Sequence, residues 1–273
     1  MSAWLDSISA RGANKHEETE CTMSGHSKWK TIAHKKGSAD AKRGKIFSKL
    51  SKELTIAARA GGSTPAMNPS LRVLMVKAKS ANMPTDNVER AIKKGTGELE
   101  GGRLEEIIYE GYAGGGVAFI VKVLTDNKNR AASDVRHIFT KFGSNLAGQG
   151  AVTRNFKRKG QILVDATCDE DKLMSIILDA GGEDMQQDEG MFEITTDPAN
   201  YEAVSAALEK AGIKTVSSEI TLIPDSYLSI TDKTVASNIM KFIETLEDND
   251  DVQNVYSNLD VDESILKELD QSK

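Results

Sequence analysis

Between Ser38 and Ala60 the apolar and cationic positions separate onto opposite sides of a helix. At the helical period Ile46, Phe47, Leu50, Leu54, Ala57 and Ala58 share one arc, while Lys45, Lys49, Lys52 and Arg59 share the other. Gly61-Gly62 supplies a stop signal. Arg43 falls on the apolar arc, which puts the start of regular helix nearer Gly44. Asn68-Pro69 has the form of a cap followed by a first-turn proline, and Leu71, Leu74, Met75 and Ala78 give a second buried stripe. Pro84-Thr85-Asp86 opens a third helix, with Val88, Ala91 and Ile92 inward and Gly95 at its end. Three amphipathic helices with short links predict a small bundle.

Thr96–Arg103 is Gly-rich and polar and reads as a linker, after which the pattern changes. Ile107–Tyr112 and Val117–Thr125 are strand-like, joined by Ala113-Gly114-Gly115-Gly116, and Ala131–Phe142 is helical with Val135, Ile138, Phe139 and Phe142 inward. Gln161–Asp165, a helix over 170–180, strands over 183–187 and 191–196, a helix over 198–211 and a strand over 215–223 follow in the order of a ferredoxin-like split βαβ unit. A helix over 233–246 and a strand over 252–257 complete the interrupted ββα as ββα…αβ. The fold class expected is therefore α+β and multidomain. A three-helix N-terminal domain precedes two α/β-sandwich (ferredoxin-like) domains, one inserted in the other. The expected boundaries are a tail over 1–22, a basic helical domain over 23–102, a discontinuous domain over 103–156 plus 230–273, and an inserted domain over 157–229.

The net charge of −6 conceals a strong asymmetry. Residues 23–95 carry 16 Lys/Arg against four Asp/Glu, whereas residues 96–273 carry 17 against 33. A basic module joined to an acidic one points to different partners, with a polyanion the natural partner of the first. Residues 1–22 lack the apolar run of a secretory signal, and Glu17, Glu18 and Glu20 argue against a transit peptide, so translation starting at Met23 is one reading of that segment. No apolar stretch is long enough for a membrane-spanning helix, and Cys21 and Cys168 cannot build a disulfide framework, which fits a cytoplasmic protein.

Catalytic and metal motifs fail on spacing. Gly37…Gly44-Lys45-Ile46 has too many residues between its glycines and lacks the magnesium-binding hydroxyl of a phosphate loop. Asp248-Asn249-Asp250 begins like a calcium loop, but Val252 and Gln253 stand where a ligand and the turn glycine belong. No Ser or Cys has a nucleophile's setting and the four histidines have no ligand spacing, so no enzyme, cofactor or metal is expected. The basic segment says more. Lys28, Lys30, Lys35, Lys36, Lys42, Arg43 and Lys45 crowd together around Trp29, which either stacks on a base or packs on the bundle. With Lys49, Lys52 and Arg59 they form the expected nucleic-acid-binding set. Gly114, Gly115 and Gly116 make a candidate functional loop or simply a tight hairpin.

The stretches 25–50, 68–97 and 107–130 resemble the YebC/PmpR family in order and in detail, and the resemblance runs from Gly25 to the C-terminus. It implies a helical N-terminal domain followed by two α+β domains, in a regulator of gene expression. Some members are labelled DNA-binding transcriptional regulators; others look like ribosome-associated translation factors that relieve stalling. Lysine is a point charge suited to phosphates, and Asn, Gln and Arg base readers are sparse on the long helix, which favours ribosomal RNA over a DNA operator. The acidic domains would then face tRNA-proximal surfaces or basic ribosomal proteins. Gly150–Phe156 departs from the family, which tends to have an apolar run there, and Thr153, Arg154 and Asn155 put the packing of that strand in question.

Overall fold

The computed structural model describes residues 39–262 except Gly101 and Glu189, together with Ile265 and Glu268; of Ala39–Lys42 and Asp188 it describes the backbone alone. Helix α1 (Ala39–Gly61) runs regularly through Arg43, earlier than the wheel implied, with Arg43 exposed. Asn68 caps α2 (Pro69–Ser80): its side-chain oxygen accepts the Leu71 N–H at 3.1 Å, and its amide donates to the carbonyls of Ala57 and Gly62. The cap thus also ties α2 to the end of α1. Helix α3 (Thr85–Thr96) does not stop at Gly95; the left-handed residue that ends it is Gly97, with φ 85°. Gly95 lies inside the helix because a Cβ there would meet the Thr55 carbonyl at 2.4 Å, so its absence lets α3 approach α1. Leu50, Leu54, Ala57, Leu71, Ala78, Met83, Val88 and Ala91 form a core belonging to these helices alone.

Strands β1 (Glu105–Tyr112) and β2 (Ala118–Thr125) form an antiparallel hairpin. Its connection is a turn at Gly114–Gly116, where Gly115 and Gly116 have φ of 76° and 87° and the Gly116 N–H donates to the Ala113 carbonyl. Helix α4 (Lys128–Lys141), capped by Asn127, leads into the two-residue β3 (Asn145–Leu146). Next come β4 (Phe156–Asp165), α5 (Glu170–Ala180), β5 (Gly182–Asp188), β6 (Met191–Thr196), α6 (Tyr201–Lys210) and β7 (Thr215–Pro224). The chain ends with β8 (Leu228–Ile230), α7 (Lys233–Glu247), β9 (Val252–Ser257) and β10 (Leu259–Val261). The first sheet has the order β3-β1-β2-β9, so it takes strands from both sides of the segment that forms the second. The second has the order β5-β6-β4-β7 with antiparallel neighbours, the arrangement of a split βαβ unit. A parallel β8–β10 pair, invisible to pattern reading, joins the ends.

One face of the first sheet packs against α4 and α7, where Phe242 meets Phe119 and Phe139 edge to face with ring centroids 5.1 and 4.9 Å apart. The other face contributes Ala118, Ile120 and Tyr256 to a cluster with Val152, Phe156 and Leu222 at the start of the second sheet. The two sheets therefore share apolar core. Gly150–Phe156 supplies part of it: Thr153–Asn155 is a 3-10 turn, and Val152 and Phe156 on either side are buried. Glu110 holds this loop, its carboxylate accepting the backbone N–H groups of Gly150, Val152 and Thr153 at 2.7, 2.6 and 2.9 Å. Burial alone would push the Glu110 carboxyl up; the three N–H groups outweigh it and hold it below its ordinary value. Glu110→Ala should cost about 3 kcal/mol in chemical denaturation, because it leaves buried backbone donors without a partner. An unchanged midpoint would show that the loop is held by its apolar residues.

Candidate nucleic-acid interface

Helix α1 turns its cationic stripe toward the first sheet. The Lys45 ammonium pairs with Asp248 Oδ1 at 2.7 Å, and Lys49 Nζ donates to the Glu247 carbonyl at 2.9 Å. Lys52 Nζ donates to the carbonyls of Asp250 and Leu124 at 2.7 and 3.2 Å and to Asp251 Oδ1 at 2.8 Å. Arg59 donates to the Leu104 carbonyl at 3.1 Å. The receiving turn, Glu247–Asp251, follows the C-terminus of α7, where orphan carbonyls and the helix dipole add negative potential to four carboxylates. Burial lowers the Lys49 ammonium from its ordinary value.

Asp251 is the centre of this contact and only 6% exposed. Its Oδ1 accepts from Lys52; its Oδ2 accepts from Arg130 Nη2 at 2.8 Å and from the Thr125 hydroxyl at 3.1 Å. Arg130 also pairs with Asp126 at 2.9 Å. Burial disfavours the Asp251 carboxylate, yet the hydrogen bonds from Lys52 and Arg130 prevail and hold its carboxyl below the usual range. A single acid from β9's approach thus joins a cation of the helical unit to one of α4. The rejected calcium-like sequence is the socket for the lysines of α1.

Lys45, Lys49 and Lys52 come together on oxygens of their own chain, whereas Arg59, two turns further on, stays exposed while donating to the Leu104 carbonyl. Lys28, Trp29, Lys30, Lys35 and Lys36 lie outside the described residues, as does the Lys42 side chain. Gly114–Gly116 stays exposed, but its geometry is that of a tight turn over α7; a Cβ on Gly115 would meet Ile230 Cδ1 at 2.8 Å.

The outward cations of the helical unit lie elsewhere. On α2, Arg72 approaches Glu202 at 3.8 Å and Lys77 approaches Glu53 at 3.9 Å. Lys79 on α2 and Arg90, Lys93 and Lys94 on α3 are exposed and have no carboxylate partner among the described residues. Pattern reading passed over these four because each helix has an adequate buried stripe and its polar face looked merely solvated. For Lys79 a usable signal was present: residues 54–85 contain no carboxylate, leaving the surface around α2 without an internal counter-charge except from other segments. Arg90, Lys93 and Lys94 follow Asp86 and Glu89 on α3 and carry no such mark.

Models of two families match the chain: the TACO1/YebC protein N-terminal domain over residues 27–98 and the TACO1/YebC second and third domain over residues 104–259. A "probable transcriptional regulatory protein" of Desulfotalea psychrophila is 52% identical over 90% of this chain and 99% of its own length. One of the same description from Halothermothrix orenii is 50% identical over 90% and 99%. A crystal structure of a conserved hypothetical protein from Aquifex aeolicus has a TM-score of 0.76 at 47% identity and covers 84% of this chain and 95% of its own. No described helix is long and apolar enough to cross a membrane, and no described group of His, Cys, Asp and Glu could hold a metal ion.

Proposed function

The chain belongs to the TACO1/YebC family, and from that premise we propose that it is a nucleic-acid-binding regulator of gene expression whose helical unit grips RNA at the ribosome. The observation that carries this reading is the set of exposed cations without carboxylate partners on α2 and α3: Lys79, Arg90, Lys93 and Lys94. Ammonium and guanidinium groups free of internal counter-ions are available to phosphates, and each contact releases counterions from the polymer. Exposed positions on these helices hold Lys, Arg, Val, Ser, Thr and Pro together with Asp86 and Glu89. The one Asn on them, Asn87 in the first turn of α3, is half-buried, and Gln, the other reader of adenine edges, is missing from both. Such a surface recognises shape and backbone better than sequence, which favours structured RNA.

The same reading keeps Lys28, Trp29, Lys30, Lys35 and Lys36 in the contact set, takes the domains as 23–102, 103–156 with 230–273, and 157–229, and locates the protein in the cytoplasm. It turns the acidic sheet surfaces toward basic ribosomal proteins and assigns no bond-making step to any residue. The relatives' description as probable transcriptional regulatory proteins favours a second reading, transcriptional regulation, for which we take duplex DNA at a promoter as the partner.

Gradient sedimentation with ribosomes at physiological salt separates the two, combined with competition by random RNA. The expected result is co-sedimentation with ribosomes and loss of duplex DNA binding under excess RNA. A protein that stays at the top of the gradient while retaining one promoter duplex against that excess would establish the second reading instead.

A further inference from the structure

The contact between α1 and the turn Glu247–Asp251 is polar, as is the looser approach of Arg72 on α2 to Glu202 on α6, and both differ in kind from the contact between the two sheets. The two sheets share an apolar cluster, but every residue of the helical core belongs to the helical unit, and every residue of the α4–α7 core to the first sheet, the two helices packed on it and the segments and β8–β10 pair beside them. Between those two cores the bridge is made by long side chains meeting oxygen atoms: Lys45 on the Asp248 carboxylate, Lys49 on the Glu247 carbonyl, Lys52 on the Asp250 carbonyl and the Asp251 carboxylate, Arg59 on the Leu104 carbonyl. The stretch 97–103, exposed at each of its described residues, is the covalent tie. A polar contact of this sort weakens with salt and opens far more easily than a shared core.

The oxygens that occupy the stripe imitate a phosphate backbone. Lys45, Lys49 and Lys52 follow one another along one side of α1, and each meets an anionic or carbonyl oxygen of a single continuous run of chain. A run of four carboxylates in five residues supplies a charge density close to that of a nucleic-acid strand.

We propose that the Glu247–Asp251 turn is an internal polyanion mimic. The α1 stripe is a second phosphate-binding site, closed by that turn in this structure and exposed when the helical unit swings off the first sheet. A nucleic-acid strand held first by the open cations of α2 and α3 competes with the turn for Lys45, Lys49 and Lys52, so binding and undocking are one equilibrium. The proposal rests on the nucleic-acid reading only for the identity of its ligand.

Binding of a fluorescein-labelled oligouridine strand to the full chain across a salt series tests it. The double variant D248N/D251N should bind about tenfold more tightly, and its log–log salt slope should steepen by about 2, the counterion release of three further single-strand contacts. D248N/D250N, altered at two exposed acids, should move the same way and serves if loss of Asp251 impairs folding. K45Q/K49Q/K52Q opens the same contact without leaving cations behind and should gain nothing. No gain in either acid variant overturns the mimic, and an equal gain in the lysine variant overturns the stripe as a binding site. In a K79Q/R90Q/K93Q/K94Q background the gain on adding D248N/D251N should persist. If that quadruple variant binds as the unaltered protein does, the open surface fails as the primary contact while the release effect still stands.

Discussion

Asp251→Ala should separate the helical unit from the first sheet and lower stability by about 3 kcal/mol, at the lower end for a broken buried ion pair. Asp251 is buried and its carboxylate answers two cations at once. Its removal leaves Lys52 with the carbonyls of Asp250 and Leu124, and Arg130 with the exposed Asp126. Lys45–Asp248 cannot compensate, because both partners lie at the solvent edge where an ion pair contributes little. Chemical denaturation reads the stability, and limited proteolysis within Thr96–Arg103 reads the docking; an unaltered midpoint with an unaltered cleavage rate would place the contact's strength elsewhere. The acid response has a definite sign. Since the folded carboxyl titrates below its unfolded value of about 3.9, its contribution is complete above that pH and disappears as the pH falls through the lowered value. Linker cleavage should therefore accelerate on acidification in the unaltered protein. Asp251→Asn, with no proton to gain, should cleave faster at neutral pH and lose little more in acid. Asp248, Asp250 and Asp126 lie close by but are exposed, where their interactions are screened by salt.

The helices were legible because a buried stripe leaves a period, and α1 shows both what such a pattern gives and where it ends. Its wheel separates Leu50, Leu54 and Ala57 from Lys45, Lys49 and Lys52 and so identifies the inner face. A wheel is silent about what covers the outer face. The answer lies in Glu247–Asp251, some two hundred residues away, and its acids also fit an exposed turn equally well. Glycine was ambiguous in another way. Gly95 and Gly97 both look like stops, yet only Gly97 has the left-handed backbone, while Gly95 is small for the sake of Thr55 on the neighbouring helix. Strands β3, β8 and β10 are too short to alternate and exist only because a partner strand passes alongside. Glu110 could not be found by pattern either: within a strand it reads as a solvent position, and its three N–H partners come from a loop forty residues on.

Neutralising Lys79, Arg90, Lys93 and Lys94 together to Gln should reduce affinity for structured RNA by roughly two orders of magnitude at physiological salt, with the log–log salt slope shallower by about 3 if all four meet phosphates. The helices should survive the change. All four positions are exposed, Gln is as good a helix former as Lys, and none of the four takes part in the core of the helical unit. Lys93 and Lys94 also stand in the last turn of α3, where a cation complements the helix dipole, so a small fall in melting temperature is expected from them. That structural role and the proposed one diverge in the salt series, because a weakened dipole contact lowers stability without altering how many counterions leave the RNA. They diverge again in the charge-preserving variant with Arg at positions 79, 93 and 94, which should recover most of the affinity. Loss spread evenly over unrelated RNA sequences identifies phosphate contacts; loss confined to one sequence would mean that Arg90 reads a base edge, and a slope that does not change would take the four residues out of the interface altogether.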